Sequence, residues 1–156
     1  MNLTIRQATT EDLADLLLFQ QGVVDAERAF DPTIKDGPVH YYDIAAMLAS
    51  HDVHFLVAEC GSDLAGCGYA RIEAAKHYLK HPVHAYLGLM YVDPAHRGQA
   101  VNLGIIDALK MWCRARHVTE LRLEVYSGNR GAIRAYQKAG FAEHMVEMRL
   151  GLTDVE

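Results

Sequence analysis

Apolar and polar residues alternate from Leu3 to Ala8 in LTIRQA, the period of two expected of a strand with one buried face. The period then lengthens. Thr9 stands as a helix N-cap with Asp12 three residues on, in capping-box spacing, and Leu13, Leu16, Leu17 and Val24 supply one apolar helical face. Phe30-Asp31-Pro32 ends that helix, and the stretch to Gly37-Pro38 reads as a loop. A shorter helix is expected from Tyr42 to Ser50, with Ile44, Met47 and Leu48 inward.

VHFLVAEC, Val53 to Cys60, reads as a strand, Gly61-Ser62-Asp63 as a turn, and AGCGYARIEA as the hairpin partner. A polar segment from His77 to Pro82 leads into AYLGLMYVDP, a long apolar strand stopped at Asp93-Pro94. From Gly98 the period changes again, and Ile105, Ile106, Leu109, Trp112 and Cys113 form one helical face. LRLEVY is a further strand, Asn129 to Lys138 a helix ended by Gly140, and Phe141 to Leu150 a last strand. The order β-α-α-β-β-β-α-β-α-β predicts an α/β fold in which a hairpin run supplies antiparallel strands and the later strand-helix-strand steps supply parallel ones.

Composition narrows the class. The 156 residues are 51% hydrophobic and 22% charged, ordinary values for one globular domain spanning residues 1–156. No apolar run approaches the ~18 residues of a membrane span, and the start MNLTIRQATTEDL lacks a secretory pattern. Three cysteines with no CxxC pair, Cys60, Cys67 and Cys113, read as small core residues in a reducing cytoplasm. A formal charge of −5 disfavours nucleic acid, whose phosphates reward basic surfaces, and nothing marks a membrane partner. Among nine histidines, His77, His81 and His84 cluster in sequence, but Pro82 breaks a shared helical face and no acidic or cysteine ligand stands at metal spacing; no metal is expected.

Two segments carry the chemistry. Val92-Asp93-Pro94-Ala95-His96-Arg97-Gly98-Gln99-Ala100-Val101-Asn102 joins a strand to a helix, where backbone N–H groups and the helix dipole form an anion site unless the segment is a plain turn. It is neither GxGxxG nor GxxxxGK[ST]. The second segment, LEVYSGNRGAIRAYQKAGF, contains Asn129, Ala132, Ile133, Tyr136, Lys138, Gly140 and Phe141. Together they resemble the GNAT superfamily of acyl-CoA-dependent N-acyltransferases, whose pattern LxVxxxNxxAIxxYxKxGF is met at every fixed position.

The resemblance implies a mixed central sheet of six to seven strands flanked by four helices. It also implies a CoA pyrophosphate loop matching [Q/R]xxGx[G/A]. Arg97 fits that loop, while Ala100 and Asn102 stand at its two glycines, so two side chains occupy positions where phosphate meets bare backbone. The implied cofactor contacts are Met90, Tyr91, Val92, Arg97, Gly98, Gln99, Ala100, Val101, Asn102, Leu103, Asn129 and Tyr136. Met90 and Val92 would pair with the pantetheine arm as an added strand does, and an N–H near them would polarise the thioester carbonyl.

Tyr136 matches the family's general acid, a phenol that stays protonated at neutral pH and can protonate the departing thiolate. The general base is not carried by the resemblance. Glu73 is preferred among Glu73, His84, Tyr91 and Glu124. Asp25, Glu27, Asp31, Asp36 and Asp43 border the region that forms the acceptor mouth in the family, where they attract a cationic amine or simply form a solvated face. The expected function is transfer of an acetyl group from acetyl-CoA to a primary amine, on a small molecule first or a peptide second. The alternative is a non-catalytic CoA-binding regulatory module. A homodimer is a family-level expectation.

Overall fold

The computed structural model describes residues 2–153. Its elements are β1 (Leu3–Gln7), α1 (Leu13–Glu27), α2 (Ile44–Leu48), β2 (Val53–Cys60), β3 (Asp63–Ala74), β4 (Val83–Val92), α3 (Val101–Ala115), β5 (Leu121–Arg122) and α4 (Arg130–Lys138). Short 3-10 turns, Thr10–Asp12 and Pro94–His96, precede α1 and α3. The capping box forms at Thr9, whose N–H donates to Asp12 Oδ2 at 2.8 Å. It closes the 3-10 turn rather than the α-helix, which starts at Leu13.

The strands make one sheet in the order β1-β2-β3-β4-β5. β1 to β4 pair antiparallel in succession, and β5 joins β4 in parallel. α1 and α2 cover one face, packing Leu16, Phe19, Ile44 and Met47 against Phe55, Val57, Cys67, Tyr69 and Leu89. α3 covers the other face, with Val101, Ile105, Leu109 and Cys113 against Leu56, Ala58, Ala70 and Leu87. β2 therefore buries both faces, which is why VHFLVAEC reads as a nearly unbroken apolar run. Each fully buried aliphatic side chain in these two layers contributes about 1.5–3 kcal/mol. α4 lies on the α3 side, where Lys110 Nζ donates to Ala139 O and Phe141 packs into the α3 cluster.

The sheet departs from expectation on its far side. Among the described residues it has five strands, not six to seven, although the four helices are present. LRLEVY is strand only at Leu121–Arg122, and Phe141 to Leu150 forms none. The cause is a missing neighbour. β5 meets β4 only through Ala85–Leu121 and Tyr86–Arg122, after which β4 turns away at a bulge. Alternation marks a chain able to form a strand, but an extended backbone becomes one only beside an edge that accepts its hydrogen bonds.

Candidate functional site

The bulge lies where Cys67 faces Tyr91 while Tyr69 faces Gly88, so Leu89 and Met90 oppose Gly68 alone. Leu89 takes φ 46°, in the left-handed region. Beyond Tyr86 no strand pairs with the outer edge of β4 among the described residues. Met90 packs on the α3 side, whereas Tyr91 points to the α1 side and packs against Phe19 with the rings tilted and their centroids 4.9 Å apart. Gly22 makes that contact fit, because a Cβ there would sit 2.7 Å from the Tyr91 ring.

β4 runs directly into the helix-start loop. Asp93 Oδ1 accepts from Ala95 N at 2.9 Å, closing the turn before Arg97. Gly98 takes φ 79° and Ala100 φ 59°, so the position of the family's first glycine keeps a left-handed backbone while carrying a Cβ. The first bond into α3 runs from Gly104 N to Ala100 O at 3.1 Å. The N–H groups of Val101, Asn102 and Leu103 thus precede the helical ladder and point out of its positive end. Arg97 is exposed, Asn102 is half-buried, and Gln99 Oε1 is shielded without a partner among the described residues.

α4 carries the residues of the second motif. Asn129 Oδ1 accepts from Ala132 N at 3.2 Å, the cap expected from the sequence. Tyr136 lies two turns on, half-buried, edge-on to Phe141 at 6.0 Å. Burial pushes its phenol up to about 12, with a further push from the charge of Glu27. Glu27 lies at the end of α1, on the opposite side of the sheet from α3 and α4. Its own carboxyl is raised by burial and then by Asp31, and among the described residues it makes no hydrogen bond or ion pair. Burial raises the phenols of Tyr41, Tyr42 and Tyr126, and the Glu27 charge adds to each.

Neighbouring polar groups are anchored. Asp31 is buried and accepts from the Thr33 hydroxyl, from Thr33 N at 2.9 Å and from Arg149 Nη1 at 2.9 Å, which lowers its carboxyl to about 2. Phe30 stacks on Tyr126 at 6.0 Å. Gln20, fully buried, fixes the loop before α2: its Oε1 accepts from Tyr41 N at 3.1 Å and Tyr42 N at 3.0 Å.

Glu73 stands apart from the helix start. It pairs with His84 in the register, toward the opposite end of β3 from Gly66–Val92. Its Oε1 accepts from Arg71 at 3.0 and 2.8 Å, and its Oε2 lies 3.6 Å from His84 Nε2. Glu124 is exposed beside Tyr86, whose phenol burial raises first. Among the described residues no group of three or more His, Cys, Asp or Glu is disposed to hold a metal ion. His81 Nε2 instead meets Glu120 Oε2 at 2.8 Å. Cys67 and Cys113 are buried and Cys60 is half-buried. No described helix is long and apolar enough to cross a membrane. Sequence reading passed over Gln20 and gave Glu27 no special place among the helix-border acids. The signal was there: Leu16, Gln20, Val24 and Glu27 follow one another at i, i+4, i+8 and i+11, two polar groups on a buried stripe.

Comparison with known proteins agrees with this architecture. The acetyltransferase (GNAT) family model matches residues 19–141. An IAA acetyltransferase from Azospirillum brasilense is 31% identical over 106 residues, covering 67% of this chain; the match spans 63% of that relative's length, under two thirds. A predicted acetyltransferase from Clostridium acetobutylicum, crystallised with acetyl-CoA, superposes with a TM-score of 0.73 at 19% identity, over 97% of both chains. A mutant of the BH1408 protein from Bacillus halodurans gives 0.85 at 20% identity, over 96% of this chain and 99% of its own. An aminoglycoside 6'-N-acetyltransferase from Acinetobacter haemolyticus gives 0.74 at 20% identity, over 99% and 100%. At these identities the structures speak for the fold, and the family match speaks for descent. With most of its length matched by the family model, the chain belongs to the acetyltransferase (GNAT) family.

Proposed function

We propose that this protein transfers an acetyl group from acetyl-CoA to a primary amine by direct attack in a ternary complex. The observation that carries the reading is that β4 loses its strand partner beyond Tyr86 and runs directly into the helix-start loop, where Ala100 in a left-handed backbone caps α3. Three features suit the donor. The free outer edge of β4 can pair with the pantetheine arm, and an N–H near Met90 to Val92 can polarise the thioester carbonyl. The unbonded N–H groups of Val101, Asn102 and Leu103, with Arg97 and the left-handed backbone at Gly98 and Ala100, suit the pyrophosphate.

The amine lone pair attacks the carbonyl carbon, the C–N bond forms and the C–S bond breaks. Glu27 takes one proton from the ammonium before attack and releases it to solvent. Tyr136 gives its phenolic proton to the departing thiolate, and the second proton, lost by nitrogen after the C–N bond forms, passes through water to reprotonate it. The unpaired carboxylate of Glu27 and its raised affinity for protons suit the role of base better than Glu73, whose carboxylate is already clamped by Arg71. The aromatic setting of Tyr41, Tyr42 and Tyr126 suits a small cationic amine through its ring faces.

The test is thiol release from acetyl-CoA with a panel of small amines and amine-terminated peptides. Turnover is expected with at least one small amine, and Tyr136→Phe is expected to lower kcat by ~10²-fold with little change in the KM for acetyl-CoA. Binding of acetyl-CoA without turnover on any amine would favour the regulatory module instead.

A further inference from the structure

One charged side chain of the stretch from Ala142 to Thr153 reaches back to the end of α1. Arg149 Nη1 donates to Asp31 Oδ2 at 2.9 Å, and its Nη2 donates to the Thr33 hydroxyl at 2.8 Å. The Tyr126 hydroxyl lies 3.5 Å from the same Asp31 oxygen. Asp31 is thus held from three segments: its own turn through Thr33, the end of LRLEVY, and the C-terminal stretch. It is 9% exposed, whereas the Arg149 side chain is 55% exposed. A pair so open to water adds little to folding, and its effect falls on the charges nearby.

The nearest such charge belongs to Glu27. Asp31 N donates to Glu27 O at 3.1 Å, prolonging the last turn of α1, so the two carboxylates stand at i and i+4 on one side of that turn. Glu27 is half-buried and has no hydrogen bond or ion pair among the described residues. The other groups that face it are neutral or engaged elsewhere. Tyr41 and Tyr42 come from the loop before α2, Tyr126 from LRLEVY and Tyr136 from α4, and burial keeps all four phenols protonated at neutral pH. Arg28 turns its guanidinium to Asp25 and to the carbonyls of Lys35 and Gly37. Glu124 also acts on Tyr42, but from an exposed position where solvent screens it. Asp31 and Arg149 are the charges left to govern Glu27.

We propose that Arg149 is a positioning residue that acts through Asp31: by offsetting the Asp31 charge, it lowers the pH at which Glu27 becomes a free base. The inference rests on the reading of Glu27 as the base, and it makes the C-terminal stretch part of the acceptor side of the site.

Carbon NMR of the full chain, labelled at its glutamate carboxyls, tests the proposal. The Glu27 signal is the one lost in Glu27→Gln. In Arg149→Gln an uncompensated Asp31 faces Glu27, and the Glu27 titration is expected to move up by about half a pH unit, the effect of one unit charge roughly 6 Å away in water. Arg149→Lys keeps the charge and is expected to titrate with the parent. Asp31→Asn removes the negative neighbour, so the titration is expected to move down by a similar amount. Opposite signs in the two variants separate a charge effect from lost packing, and ~1 M salt should shrink both shifts. Identical Glu27 titrations in the parent and Arg149→Gln overturn the proposal, as do shifts of the same sign in Arg149→Gln and Asp31→Asn. The titration needs no acceptor and no turnover, so its failure is distinct from a failure of the acetyl-transfer reading, which the amine panel decides.

Discussion

Ala100 illustrates how much one methyl group decides at the residue scale. Its φ of 59° is a backbone conformation in which a Cβ costs about 1–2 kcal/mol, and it caps the helix whose start suits phosphate. Ala100→Gly removes that cost but frees the unfolded chain, so unfolding in urea should show a net gain of about 0.5–1 kcal/mol. A loss instead would mean that the methyl group packs usefully. Glu27 gives the second prediction at this scale. As the base it must be ionised, so kcat/KM falls as pH drops through its pKa. Burial and Asp31 hold that pKa above the ordinary carboxylate value of ~4.3. Glu27→Gln should abolish this acid limb and slow turnover by ~10²-fold. A pH profile that keeps the limb in the variant would assign the proton to another group, with Glu124 the first to examine.

At the scale of elements, position depends on buried polar side chains as much as on the apolar layers. Gln20 belongs to α1, yet it holds the backbone of Tyr41 and Tyr42 through one amide oxygen. Gln20→Leu strands two backbone N–H groups, each worth ~1–3 kcal/mol when buried without an acceptor, so a loss of about 2–4 kcal/mol is expected in urea unfolding. In the same variant the KM for the amine should rise while that for acetyl-CoA stays put, because the loop lies on the α1 face and not at the α3 start. β1 to β4 and the first three helices were legible from period and turn signals, since each buries a face that shows in its own residues, while α4 was marked by its Asn129 cap and Gly140 stop. The partner of a strand does not show there. LRLEVY and Phe141 to Leu150 both have strand patterning, but whether an edge meets them depends on the bulge at Leu89 in a different strand. The site had the same division. Asn129 and Tyr136 lie within one motif, whereas Glu27 stood only among five helix-border acids until the fold left its carboxylate half-buried without a partner among the described residues.

The whole molecule is tied together by a few long-range polar contacts. Arg6 on β1 donates to both oxygens of Asp12 at 2.8 Å and to Glu59 on β2 at 2.7 Å, joining strand, strand and the approach to α1. The Arg6 guanidinium is the main reason that the Asp12 carboxyl lies below its ordinary value. A depressed folded pKa makes this contribution present above ~3.9, the unfolded value, and lost as pH falls through the folded one. Stability measured from pH 6 down to pH 2 should therefore decline, and Asp12→Asn should be less stable at pH 6 while showing a shallower decline. Equal slopes for parent and variant would remove Asp12 from the account.

Every role proposed above rests on acetyl-CoA binding at the helix start and along the unpaired edge of β4. Isothermal titration of the protein with acetyl-CoA tests it most directly, because it needs no knowledge of the amine. One site per chain is expected, with a dissociation constant in the micromolar to millimolar range typical of enzyme substrates. Asn102→Gly, which deletes a side-chain amide at the proposed phosphate site, is expected to weaken binding by about tenfold. No binding at millimolar acetyl-CoA would contradict the claim outright, and unchanged or tighter binding by the variant would contradict the part assigned to Asn102.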